Sequence, residues 1–244
     1  MIKTQPRLQK QRHVCIVIFD DVEVLDFCGP FEVFTVTGGR EGTTPFMVST
    51  VAETCQTITT RGGLRVEPEH SFENCPSPDI LVVPGGMGTR REMNNPRMLS
   101  WLRENAKKAD LMLSVCSGAL LLAKAGLLEG LTATTHHGAL DELRAISPGI
   151  KVDATKRFID NSRIIVAAGI SAGIDMSLYV VARLLGHEQA AETARYMEYA
   201  WSWQSQLSSS ELAVDCRGLI EARDRRRRRF FRRQDNRAAR FVVG

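Results

Sequence analysis

Apolar runs of strand length alternate with helical stretches along most of the 244 residues. β-Branched runs bounded by turn residues are typical of buried strands, whereas apolar residues spaced three and four apart indicate helices. The pattern predicts strands at 13–19, 46–52, 64–68, 79–86, 111–115, 133–137 and 163–169. It predicts helices at 96–107, 117–128, 137–146 and 173–185. Such alternation indicates a mostly parallel α/β sheet sandwiched by helices.

One further helix is predicted to follow the first strand. Gly29-Pro30 precedes an apolar-periodic stretch, and proline is favoured in the first turn of a helix because its missing N–H has no partner there. Asp26 would then lie just before the helix start. An aspartate in that position is commonly a helix cap, so a capping role and a chemical role both remain open for it.

Composition predicts one main domain with appendages. We expect an N-terminal extension at 1–12, a domain at 13–203 and a polar, then Arg-rich tail at 204–244. No apolar stretch is long enough to span a membrane and no signal-peptide pattern is present, which predicts a cytoplasmic protein. The six cysteines have neither Cys-x-x-Cys nor zinc-type spacing, so reduced thiols and no metal site are expected.

The charge is distributed unevenly. Residues 217–240 contain eleven arginines and three acidic residues, whereas residues 1–216 carry a net charge of −4. Clustered arginine with interleaved phenylalanine suits weak binding to polyanions such as nucleic acid. A solvated, flexible tail explains the same composition, and we favour that interpretation.

The clearest chemical signal is the junction between the strand 111–115 and the helix after it. There LMLSV runs into CSGALLLAKAGLL, the layout of a nucleophile elbow, with Cys116 at the turn and Gly118 allowing close backbone passage. A helix start favours a thiolate, so Cys116 is expected to be the dominant low-pKa thiol. The other cysteines are interpreted as small core residues.

Several segments together resemble the ThiJ/PfpI group of the class I glutamine-amidotransferase-like superfamily, a flavodoxin-like fold. They are VLDFCGPFEVF, ILVVPGGMG, VCSGALLLAKAGLLEG, ATTH and AAGISAGID, and the resemblance covers about 13–203. Within the group, the combination of LD-x-x-GP, VC[ST]G and ATTH is most similar to isocyanide hydratases and to the amidotransferase-like sensor domains of AraC-type regulators. The GISAGIDMSL stretch is interpreted as structural.

The resemblance implies a hydration of a small isocyanide to an N-substituted formamide. Cys116 would attack the isocyanide carbon to give a thioimidate, and Asp26 would protonate the adduct and then direct water. A nearby thiolate should raise the pKa of the Asp26 carboxyl through like-charge repulsion. Ser117 stands where these hydratases more often have threonine.

Three further residues are assigned to substrate or oxyanion binding. Gly86, in a Gly-Gly turn at a strand end, is expected to offer a free backbone N–H, as the superfamily resemblance also implies. Ser117 supplies a hydroxyl beside the cysteine. His136 is the counterpart of the histidine that pairs with cysteine in protease-like members, but a structural histidine fits equally well.

Other functions stay open. They are a ligand-sensing regulatory domain without the helix-turn-helix module of AraC-type regulators, and a glyoxalase-like or thiol-hydrolase member, which Asp26 in place of glutamate disfavours. No dinucleotide or phosphate-loop fingerprint is present, so no cofactor is expected. The resemblance also implies a homodimer acting on a small-molecule substrate.

Overall fold

A computed structural model describes residues 11–39 and 44–202. The predicted tail at 204–244 and nearly all of the predicted extension at 1–12 lie outside these residues. The chain divides into two compact units, Met1–Trp201 and Ser202–Gly244, and all the described residues except Ser202 belong to the first unit. Within the described ranges, none of the helices combines the length and apolar character needed to cross a bilayer.

The strands of the described residues form one central sheet and two small ones. In chain order they are β1 (Arg12–Val17), β2 (Phe46–Ala52), β3 (Ile58–Thr59), β4 (Arg65–Val66), β5 (His70–Ser71), β6 (Ile80–Val83), β7 (Leu111–Val115), β8 (Thr132–Ala133), β9 (Lys151–Val152), β10 (Phe158–Asn161) and β11 (Ile164–Ala167). The central order is β10-β11-β7-β6-β1-β2-β5, and every pairing is parallel except β10 with β11. The predicted mostly parallel sheet is confirmed.

The helices form two groups that flank this sheet. They are α1 (Val24–Val36), α2 (Thr89–Glu92), α3 (Pro96–Lys108), α4 (Gly118–Lys124), α5 (Leu140–Ile146), α6 (Ala172–Leu185) and α7 (His187–Tyr196). Helices α1, α6 and α7 contact one another, whereas α4 contacts α2, α3 and α5. The core lies between these layers, since every residue of β6 and β7 is buried.

Two predicted short strands differ from the structure. The predicted strand at 64–68 shrinks to β4, which pairs with β3 in a separate antiparallel hairpin rather than at the edge of the main sheet. The predicted strand at 133–137 shrinks to β8, and a 3-10 helix at His137–Ala139 precedes α5. In both regions the segment pairs with a neighbouring strand over only two residues.

The first helix begins earlier than predicted. Helix α1 starts at Val24, so Asp26 lies in its first turn and Pro30 in its interior. Proline at this position removes the hydrogen bond that its N–H would give to the Asp26 carbonyl, but the helix continues through it. The N-cap is Glu23 without a side-chain cap bond, so the capping interpretation of Asp26 is wrong.

The carboxyl ends of the central strands meet at one edge of the sheet. Val83 of β6 pairs in register with Ser114 of β7, and Ala167 of β11 pairs with Val115. The turns after these three strands therefore lie side by side. Loops at this edge of an open α/β sheet are the usual place for ligand sites.

Candidate active site

Cys116 stands at a strained turn between β7 and α4. Its φ is +56°, a left-handed conformation that is rare for a residue with a side chain. Its N–H donates to the Ala168 carbonyl at 2.9 Å, and the Thr135 hydroxyl donates to its carbonyl at 2.7 Å. A Cβ on Gly118 would lie 2.1 Å from the Val83 oxygen, so only glycine fits there. The predicted elbow is present, and several elements hold it in place.

Asp26 lies beside the cysteine, on a different element. An isolated bridge joins Val22 to Gly86, and the Glu23 N–H donates to the Gly85 carbonyl at 3.0 Å. These contacts tie the start of α1 to the turn after β6. The Asp26 Oδ2 atom accepts from the Gly85 N–H at 3.0 Å. A Cβ on Gly85 would lie 2.5 Å from the Ser117 nitrogen, so this turn also requires glycine.

The Asp26 carboxyl is almost without polar partners. It is fully buried, and among the residues that the structure describes its Oδ1 atom has no hydrogen-bond partner that meets ordinary distance limits. Burial raises the pKa of Asp26 to about 7, while the bonds to Gly85 and Cys116 act in the opposite direction. The rise was predicted, but its cause is burial rather than repulsion by the thiol.

The thiol of Cys116 is not the low-pKa group that the sequence predicted. Burial, and next the charge of Asp26, raise the pKa of Cys116 to about 12. Hydrogen bonds from the backbone N–H groups of Ser117 and Ile170 lower it only in part. The prediction failed because the side chain is just 7% exposed, so desolvation outweighs the helix start.

Ile170 was missed by the sequence analysis. Its N–H points at the Cys116 sulfur from the turn after β11, although this stretch was interpreted as structural. Its φ of +44° is exceptional for a β-branched residue. Backbone strain of this kind collects at functional sites. No pattern of side chains in a sequence marks a residue that acts through its backbone N–H. The preceding Gly169 was the one sequence feature that could have drawn attention to this position.

The N–H groups of the Gly85-Gly86 turn are already engaged. The Gly86 N–H donates to Ser117 Oγ at 3.0 Å, and Ser117 Oγ donates back to the Gly86 carbonyl at 3.1 Å. Thr89 Oγ1 donates to the same hydroxyl at 3.3 Å. The expectation of a free Gly86 N–H is therefore wrong in this arrangement. The Ser117 hydroxyl holds the turn after β6 against the elbow. The backbone N–H of Ser117 is the group that donates a hydrogen bond to the Cys116 sulfur.

His136 borders the site without bonding to the cysteine in the described structure. Its Nδ1 accepts from the Gly138 N–H at 3.1 Å, which caps the 3-10 helix. Its ring packs against His137 with centroids 4.1 Å apart. Burial, and next the neighbouring His137, lower the pKa of His136. A neutral, capping histidine matches the structural interpretation that the sequence left open.

A cavity of about 210 Å³ is lined in part by Cys116. Its ionic lining residues are Glu23, Arg61 and Arg90. Arg61 pairs with Glu23 at 3.5 Å, and Arg90 pairs at 2.6 Å with Glu142, which does not line the cavity. The other lining residues are Gly86, Met87, Cys116, Ser117, His136, Gly138, Ala139 and Ile170. Across the described ranges, no group of three or more His, Cys, Asp or Glu side chains is arranged to hold a metal ion.

A flavodoxin-like sheet with a cysteine elbow and an adjacent buried carboxyl defines a class of protein rather than a reaction. The model of the DJ-1/PfpI family matches residues 12–183, and the chain belongs to that family. It is 32% identical over 184 residues to the isonitrile hydratase of Pseudomonas putida, covering 75% of this chain and 77% of the hydratase.

Two other similarities broaden the functional range. The chain is 23% identical over 194 residues to the HTH-type transcriptional regulator GbdR of Pseudomonas aeruginosa, covering 80% of this chain but only 52% of the regulator. Among solved structures, a ThiJ/PfpI family protein from Pseudomonas syringae superimposes with a TM-score of 0.71 at 27% identity, covering 83% of each chain. The family therefore includes both an enzyme and regulators.

Proposed function

We propose that the protein hydrates a small isocyanide to the corresponding N-substituted formamide. The observation that carries this proposal is the fully buried Asp26 carboxyl beside Cys116, with a pKa of about 7 and an Oδ1 atom that has no hydrogen-bond partner within the described part of the chain. A group that is half ionised at neutral pH suits both the removal and the delivery of a proton. The 32% identity to an isonitrile hydratase supports the same reaction.

The first step forms the thioimidate. The Cys116 thiol keeps its proton at neutral pH because its pKa is raised to about 12, so attack requires a neighbouring base. The Asp26 carboxylate takes that proton while the sulfur bonds to the isocyanide carbon. Asp26 then gives the proton to the same carbon. The N–H groups of Ser117 and Ile170 stabilise the negative charge that passes through the sulfur.

The second step releases the product. Water attacks the thioimidate carbon, and the Asp26 carboxylate accepts a proton from it. Asp26 delivers that proton to the nitrogen, and the hydroxyl proton of the resulting adduct passes through Asp26 to the Cys116 sulfur as the carbon–sulfur bond breaks. The sum is one isocyanide plus one water giving one formamide. The cavity of about 210 Å³ lies below the usual range for drug-sized ligands, so a short alkyl or a single aryl substituent is expected.

Mass spectrometry and product analysis test this proposal together. The wild-type protein should convert members of a panel of alkyl and aryl isocyanides to formamides. Cys116→Ala should give neither product nor adduct. Asp26→Asn lacks the base of both steps, so a covalent adduct should form on Cys116 only slowly, with solvent taking the thiol proton, and should then persist because water attack also lacks its base. Cys28→Ala, on the same helix as Asp26, is the matched control and should keep turnover. Absence of both formamide and adduct across the panel would contradict the proposal.

A second candidate is a ligand-sensing domain in which the cysteine does little chemistry. The observation that favours it is the protonated, buried thiol of Cys116, together with the similarity to a transcriptional regulator. Calorimetry separates the two functions. A sensor would bind a small molecule in this cavity equally well as wild type or as Cys116→Ala, with no product released. An enzyme would show heat from turnover that disappears in the variant.

A further inference from the structure

A second pair of reactive groups lies in the chain outside the Cys116 site. Cys15 is in β1 and is fully buried, whereas Cys75 is partly exposed in the segment between β5 and β6. Their sulfur atoms are 3.3 Å apart although 60 residues separate them in sequence. The central sheet creates this contact, because the segment between β5 and β6 passes beside β1.

The two thiols are not equivalent. The hydrogen bond between them raises the pKa of Cys15 and lowers that of Cys75, which corresponds to a Cys15 S–H donating to the Cys75 sulfur. Burial adds to the rise at Cys15. Cys75 is therefore the accessible sulfur with greater thiolate character, the combination that favours attack on an oxidant. Cys15 is positioned directly behind it.

We propose that Cys15 and Cys75 form a reversible disulfide when the protein meets a hydroperoxide. The Cys75 sulfur attacks the peroxide, so that an S–O bond forms, the O–O bond breaks and an alcohol or water leaves. The Cys15 sulfur then attacks the resulting sulfenic acid, expelling water as the S–S bond forms. Two thiols are oxidised and one peroxide is reduced, and a dithiol or glutathione reverses the change.

The local structure permits this step. The sulfurs must approach from 3.3 Å to the ~2.05 Å of a disulfide. Cys15 is held in a central strand, so the movement falls on Cys75, whose segment is irregular from Phe72 to Asp79. In that segment the Cys75 N–H bonds to the Ser71 carbonyl at 3.0 Å, and Cys75 precedes Pro76. Few regular hydrogen bonds therefore oppose a small shift of the second sulfur.

Mapping the cross-link in the full-length protein tests this inference. The reduced protein is treated with hydrogen peroxide near equimolar, blocked with N-ethylmaleimide and digested without reductant. Trypsin alone leaves Cys15 and Cys28 in one peptide, so chymotrypsin, which also cleaves after Phe19, is added. We expect a linked pair of peptides containing Cys15 and Cys75, lost on treatment with dithiothreitol and absent when oxidation is performed in denaturant.

Cysteine variants distinguish the role of Cys75, which attacks the peroxide, from that of Cys15, which attacks the sulfenic acid. Cys75→Ser, in an irregular segment, should abolish the linked pair and leave Cys15 unmodified. Cys15→Ser should leave a persistent sulfenic acid on Cys75 that dimedone traps. Cys55→Ser, which removes an exposed thiol, is the matched control and should leave the linked pair at the wild-type level. If Cys15→Ser does not fold, the proposal is tested by the presence of the linked peptide in the wild-type digest and its absence from the Cys75→Ser digest. Oxidation of Cys55 without any Cys15–Cys75 peptide in the wild type would overturn the proposal.

Discussion

Two buried carboxyls in the same fold have opposite surroundings. Asp26 lies in the first turn of α1 and Asp175 in the first turn of α6, and the two helices pack against each other. They are 0% and 6% exposed, so burial alone does not distinguish them. The difference between them is the number of polar partners on each carboxyl.

Asp175 is fully engaged. Its Oδ2 atom accepts from Arg157 Nε at 2.7 Å and forms a salt bridge with the same guanidinium, while Tyr199 donates to its Oδ1 at 3.0 Å. Within residues 11–39 and 44–202, Asp26 accepts only the Gly85 N–H at ordinary hydrogen-bond distance, and burial raises its pKa to about 7. A buried carboxyl with a full set of partners is a structural ion, whereas one that lacks them can exchange a proton.

Exchanging each carboxyl for an amide gives the largest expected contrast. Asp26→Asn should lower kcat/KM for isocyanide hydration by about 10²–10⁴, the usual range for loss of an acid–base group. Asp175→Asn should remain close to wild type, because the Asp175 carboxyl is bonded to Arg157 and Tyr199 rather than placed beside Cys116. Steady-state formamide production measures both. Equal losses in the two variants would show that Asp26, too, acts through the fold.

The contribution of Asp26 to the free energy of unfolding should change with pH in the opposite direction to that of an ordinary salt-bridged carboxylate. The folded-state pKa of Asp26, about 7, exceeds the unfolded value of 3.8, so its neutral form stabilises the fold fully at low pH. This stability declines by about 1.4 kcal/mol per unit as pH rises toward 7. In urea unfolding, the stability of the wild type should therefore fall relative to that of Asp26→Asn as the pH rises from about 4 to 7. Parallel pH profiles would argue against a raised pKa.

The ion pair of Asp175 should contribute to stability instead of turnover. Asp175→Asn leaves Arg157 without its partner, and we expect a loss of about 1–3 kcal/mol, moderated because the guanidinium is 46% exposed. Asp141→Asn is the surface control, since the Asp141 side chain is 99% exposed beside Arg144. The midpoint of chemical unfolding gives both values. If Asp175→Asn lost no more unfolding free energy than Asp141→Asn, the distinction between a structural and a proton-exchanging carboxyl would not hold.

The smallest effect is expected from the hydrogen bond of Tyr199. Tyr199→Phe removes only the hydroxyl that donates to Asp175, so unfolding should become easier by about 1 kcal/mol with unchanged turnover. Thermal unfolding is sensitive enough to detect this. Additive losses in the double variant with Asp175→Asn would indicate that the two groups do not interact, contrary to the structure.

The sequence alone determined the framework of this protein. The apolar runs that became β1, β2, β6, β7 and β11 are visible because strands buried on both faces of a parallel sheet are near-continuous runs of apolar residues. The elbow at Cys116 is equally visible, since its strand, turn and helix are contiguous in the chain. Asp26 was found through a motif. The predicted start of its helix at Gly29-Pro30 was too late, because the helix begins at Val24 and continues through Pro30.

Only the tertiary structure decided the chemistry of the thiols and carboxyls. Burial raised the pKa of Cys116, where local reasoning from a helix start predicted the reverse. The Ile170 N–H reached the same sulfur from a turn that is distant along the chain, and Cys15 met Cys75 across the sheet. Desolvation and hydrogen-bond occupancy depend on every element packed around a group, and no pattern of neighbours along the chain records them.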